Sequence, residues 1–127
     1  MISSQSYEPH QSSIANMNAN IIALLTYILP GILTYVPLIG HCAWLIPLII
    51  FLVEKNSRFV KFHSMQAFLL IILSTVVGFF THIILIGLIA KCIMLIISIL
   101  TLIALFNAYN YKIFEIPIIG TIAKAII

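Results

Sequence analysis

Four histidines, three glutamates and two cysteines, with no aspartate, are the side chains of this sequence best suited to ligate a metal or carry a proton, and their spacing keeps them apart. His10, His41, His63 and His82 are dispersed, and Glu8, Glu54 and Glu115 are spaced neither with a histidine as metal ligands nor with each other as a carboxylate pair. No nucleophile can be matched with a base and an orienting acid. The chain is therefore expected not to be an enzyme, with no catalytic, cofactor-binding or metal-binding residue and no cofactor. His82 comes closest to a buried ionisable group. Its place near the outer end of a helix favours a neutral interfacial histidine over a proton relay. Cys42 and Cys92 both follow proposed outer turns, where an oxidising compartment would permit a disulfide. Free cysteine is the favoured reading, because it is common as a small apolar residue in helices.

The elements that must position these residues are dictated by where charge is missing. No Asp, Glu, Lys or Arg occurs from Pro9 to Val53, four charges crowd into Glu54, Lys55, Arg58 and Lys61, and none follows from Phe62 to Ala90. Uncharged apolar runs of this length exceed the roughly 18 residues that mark a bilayer span. Composition agrees, with 63% hydrophobic and 7% charged residues and a mean hydropathy of +1.24. An integral membrane protein of the cell (inner or plasma) membrane is implied. The six basic residues flank the apolar runs and form no block that could track a nucleic-acid backbone, which argues against nucleic-acid binding.

Residues 1–20 are polar, with few apolar side chains to fold around, and read as a disordered tail. They lack the basic n-region of a secretory signal, and neither terminus carries a lipidation motif. Residues 21–111 read as an all-α transmembrane bundle of four helices. In its first block, Ile21 to Val53, Pro30, Pro37 and Pro47 argue for a kinked hairpin turning between Val36 and His41, with two short arms. In its second, a turn around Ile86 to Lys91 leaves spans of roughly Phe59 to Leu85 and Cys92 to Tyr109. Stripes of small residues (Ala67, Ser74, Gly78 and Thr81, then Ser98, Thr101, Ala104 and Ala108) allow close helix packing. Residues 112–127 read as a short amphipathic segment. Basic residues favour the cytoplasmic side, so Lys55, Arg58, Lys61, Lys112 and Lys124 against Lys91 alone place both termini inside.

The charged island between the two blocks is the candidate site. With Asn56 or Ser57 as helix cap, Phe59, Phe62, His63, Gln66 and Leu70 fall on one face, directed into the bundle as an assembly face. Arg58, Lys61 and Met65 occupy another. With Lys55, the two basic residues act as topogenic charges or contacts to anionic lipid headgroups.

Two segments carry a resemblance. KNSRFVKFHSMQAFLL, Lys55 to Leu70, and NAYNYKIFEIPIIGTIAKAI, Asn107 to Ile126, resemble the signatures of a family of small uncharacterised multi-pass membrane proteins of bacteria and archaea. That family is related to the twenty-kilodalton subunit of the chloroplast inner-envelope protein-import translocon (Tic). The resemblance implies a four-span helical domain and an import-component-like role; it departs at Asn110 and Tyr111, where Gly-Glu is usual. The expected function is a structural or accessory membrane protein whose partners are the lipid bilayer and other membrane proteins or copies of itself. The alternative is a small oligomeric channel or transporter-like protein, which the lack of a polar line along any span disfavours.

Overall fold

Helix formation starts where the polar amino-terminal residues give way to an apolar run, and α1 spans Ala19–Leu33. A computed structural model describes residues 4–14, 16–36, 40–83 and 86–127. After α1 the chain passes through a 3₁₀ turn at Gly40–Cys42 into α2, Leu45–Val53. Helices α3, Arg58–Phe80, and α4, Gly87–Tyr109, are followed by a short strand and α5, Ile119–Ile126. The fold is helical, with one small addition. Strand β1, Ser4–Ser6, pairs antiparallel with β2, Lys112–Phe114, in the register Ser4 to Phe114, Gln5 to Ile113 and Ser6 to Lys112.

Among the described residues two helices, α3 and α4, are long and apolar enough to cross a membrane, not the four expected. The arms of the first block are too short. At 1.5 Å per residue, the 15 residues of α1 and 9 of α2 extend about 22 and 14 Å, against about 30 Å of hydrocarbon. Pro30 lies inside α1 and removes one helical rung, and four residues later the Thr34 hydroxyl donates to the Pro30 carbonyl at 2.7 Å as the helix ends. Pro47 sits in the first turn of α2, where its missing N–H is harmless. Pro37 and part of the expected Val36 to His41 turn lie outside the described residues.

The later turn also falls earlier than expected. Helix α3 stops at Phe80, with Thr81 donating its hydroxyl to the Gly78 carbonyl at 2.6 Å, and α4 begins at Gly87. Gly87 is required there, because a Cβ would come within 2.8 Å of the Thr81 carbonyl oxygen. Ile84 and Leu85, placed in the third span by the sequence reading, lie outside the described residues.

The amino-terminal segment departs most from expectation, since residues 4–14 lie against the bundle where a disordered tail was anticipated. Their ordering comes from hydrogen bonds and ring contacts more than from apolar side chains. Tyr7 N–H donates to the Tyr111 carbonyl at 2.7 Å, extending the strand pairing, and Ser12 is buried. Helices α1, α3 and α4 meet around Ala19, Ala23, Phe62, Ala67, Ala104 and Ala108, all nearly or fully buried, while most large side chains of α4 are exposed. Small residues thus face the core and Ile and Leu face outward, the distribution that suits a bilayer.

Candidate functional site

The buried polar groups collect at the end of the bundle where α3 begins. Tyr27 on α1 and His63 and Gln66 on α3 are buried together, the last two completely. His63 Nε2 lies 3.0 Å from the Lys112 carbonyl oxygen, which can only accept, so Nε2 carries the proton. Nδ1 is then an acceptor, and the Tyr27 hydroxyl donates to it at 2.8 Å. The Gln66 amide donates to Tyr27 Oη and to the Phe114 carbonyl, both at 3.1 Å, while its Oε1 accepts from Ile116 N–H at 3.2 Å. This assignment matches every donor with an acceptor. The network joins α1 and α3 to the strap of residues 112–116.

A second network surrounds Glu54, which is 1% exposed although it lies at a chain turn. Its carboxylate accepts from the Ser12 hydroxyl, from Ser13 N–H at 3.1 and 3.2 Å, and from Ser57 N–H at 2.8 Å. Burial alone would raise the pKa of this carboxyl, but the donors together outweigh it and hold the group below its ordinary value of 4.5. Ser57 caps α3 by accepting from Val60 N–H at 3.2 Å. His10 donates from Nδ1 to the Glu8 carbonyl at 2.8 Å, so its Nε2 accepts the Ser57 hydroxyl proton at 2.7 Å. Between the networks, Phe59 is ringed by Tyr7, His10, His63 and Tyr111, with centroids 4.7 to 6.0 Å away. Among the described residues, no buried side-chain nitrogen or oxygen is left without a partner, and no group of three or more His, Cys, Asp or Glu could hold a metal.

Toward the other end, α1, α3 and α4 splay around a cleft of about 900 Å³. Thr26, Thr34, Thr75, Ser98 and Thr101 line it. Each of these hydroxyls donates to a carbonyl of its own helix, and Tyr35, Trp44 and Ser74 also line the cleft.

The family model of the magnetosome magnetite crystal formation proteins, MamF/MmsF, matches residues 18–123. The chain belongs to this family. No curated relative and no solved structure matches it. Membership in MamF/MmsF overturns the resemblance to the Tic-related family. The physical reason lies in what the two motifs encode. The stretch from Lys55 to Leu70 supplies the α3 cap, His63 and Gln66, and the stretch from Asn107 to Ile126 supplies the strap these residues bind. Such motifs specify a helix-to-strap joint, and a joint carries no information about import.

In this MamF/MmsF chain, Phe59, Phe62, His63 and Gln66 are each 0% exposed and lie together in the joint. Lys55 and Arg58 are exposed, and Lys61 is half-buried with its Nζ 5.8 Å from the centre of the Phe51 ring. Met65 departs from its expected headgroup-facing position and is buried at 5%, because α1, α2 and α5 all pack against α3 and cover more of it than one helical stripe. His82 is exposed just beyond α3, and the His41 side chain lies outside what is described. Cys42 and Cys92 are exposed and free. Sequence reasoning missed Tyr27, Glu54, Ser12, Ser13 and His10 as members of the networks. The one available signal was Glu54, a lone acid ending an apolar block three residues before a cap.

Proposed function

We propose that this protein is a structural or accessory membrane component of magnetite crystal formation, acting through the bilayer and neighbouring membrane proteins or copies of itself, and not as an enzyme. The observation that carries the reading is the placement of its carboxylates. Hard metal ions are held chiefly by carboxylates and other oxygen ligands, yet of the three glutamates Glu54 is enclosed by serine donors and Glu115 pairs with Lys124 at 3.0 Å. That leaves Glu8 as a poor basis for a mineral-binding face and favours a role in the membrane. Helices α3 and α4 would cross the bilayer, with α1 and α2 as a short hairpin entering from the basic end. Lys55, Arg58, Lys61 and Lys112 cluster at that end, which supports cytoplasmic termini and contact with anionic headgroups. The channel alternative is weakened by the cleft, whose hydroxyls are mostly engaged with their own helices. Gentle detergent extraction with crosslinking, run beside conductance measurements in liposomes, tests the reading. Reproducible crosslinks to membrane proteins or to itself without conductance support it, and conductance without crosslinks overturns it.

A further inference from the structure

The strap after α4 does not stay at the bundle's end. It descends along α3, its Lys112 carbonyl meeting His63 and its Ile116 N–H meeting Gln66, so that α5 is seated at the level of Gln66. Gln66 lies eight residues into α3 from Arg58, or about 12 Å along the helix axis. If the basic residues mark the headgroups, this depth is the boundary between headgroups and acyl chains.

Three sides of α5 have three surroundings. Gly120 and Ala123 are buried against the protein, and Thr121 and Lys124 form a polar edge, with Lys124 neutralised by Glu115 at 3.0 Å. Ile122 and Ile126, one turn apart, form an apolar edge with exposures of 44% and 51%, and Ile118, just before the helix, is 74% exposed. The helix entry is fixed in an unusual way. Ile118 has φ 70° and ψ −58°, and Ile119 N–H donates to the Pro117 carbonyl at 2.8 Å, which is a γ-turn that branched residues rarely adopt. The turn projects the most exposed of the three isoleucines.

We propose that α5 is an interfacial helix, inserted edge-on into the leaflet at the basic end, with Ile118, Ile122 and Ile126 among the upper acyl chains and Thr121 and Lys124 toward the headgroups. The occupant of the apolar edge is lipid. The neutral Glu115–Lys124 pair suits that depth, where an isolated charge is costly. Insertion in one leaflet alone makes α5 a wedge whose binding depends on lipid packing and curvature.

The inference rests on the membrane-spanning reading of α3 and α4, and Trp44, the single tryptophan, lets the two be separated. Native protein and two Trp44→Phe variants, carrying Ile122→Trp or Thr121→Trp, are reconstituted in phosphatidylcholine and phosphatidylglycerol vesicles. The acyl chains are brominated near the headgroup or near the terminal methyl. Bromines near the headgroup should quench the Ile122→Trp fluorescence by about half or more and the Thr121→Trp fluorescence much less, as expected of an apolar edge about 5 to 10 Å deep. Stronger quenching by terminal bromines overturns the proposal, as does absent quenching with water-exposed emission or with the concentration-dependent shielding of a second copy. If Trp44 in the native protein is quenched while the Ile122→Trp variant is not, only the α5 proposal falls. If neither is quenched, the spanning reading falls with it.

Discussion

His63 holds its place through two hydrogen bonds of opposite sense, donating to the Lys112 carbonyl and accepting from Tyr27. His63→Leu keeps the volume but leaves the buried Tyr27 hydroxyl without its acceptor, at about 1 to 3 kcal/mol, and frees the partly buried Lys112 carbonyl from its donor. Lys61→Gln removes only a cation over the Phe51 ring, worth about 0.5 to 1 kcal/mol. Melting of both variants in detergent should therefore show the larger loss for His63→Leu, and the reverse order would make the topogenic charges the dominant feature of the island. Glu54 sets the acid response. Its folded pKa is lowered, so the stability it contributes is fully present above the unfolded value near 4.5 and disappears as pH falls through the folded value. Glu54→Gln should be less stable than the native protein at neutral pH and should lose less on acidification below about 4.5. Parallel acid titrations of melting temperature check this, and equal slopes would exclude Glu54 as the source.

At the scale of elements, α5 depends on a residue that has no side chain. A Cβ on Gly120 would lie 2.6 Å from Glu115 Cα and 2.9 Å from Gln66 Oε1, one a backbone atom and the other fixed in the buried network. Gly120→Ala should thus cost about 1 to 3 kcal/mol and loosen the strap. Gly78 offers the control, since nothing lies within 4 Å of its Cβ position and it sits in the last turn of α3. Gly78→Ala should be neutral or stabilising by up to about 1 kcal/mol. Limited proteolysis after Tyr111, with melting of both variants, reads the difference; strap cleavage in both variants or in neither contradicts the seat described for α5.

For the whole molecule the testable quantity is orientation. The exposed residues Asn56 and Lys91 lie at opposite ends, one beside the start of α3 and the other beside the start of α4. With Cys42 and Cys92 replaced by serine, a cysteine at Asn56 should resist an impermeant thiol reagent in intact cells and one at Lys91 should react. Labelling at Asn56 and protection at Lys91 would invert the molecule. Labelling at both would remove the bilayer from between them.

The long uncharged runs and the basic residues beside them were legible from composition alone, because the cost of placing charge in hydrocarbon acts on each residue wherever its neighbours lie. The inward face of α3 was legible for a similar reason: helical periodicity puts Phe59, Phe62, His63 and Gln66 on one side before any partner is known. The partners were not. Tyr27 meets His63 across 36 residues and Ser12 meets Glu54 across 42, and no local pattern reports contacts of that separation. The same holds for residues 4–14, whose polar composition suggests disorder until Glu54 and the strap supply what they bind. The number of full spans also awaited the fold, since it depends on where α1 and α2 stop, and those ends are set by turns and packing that hydropathy does not register.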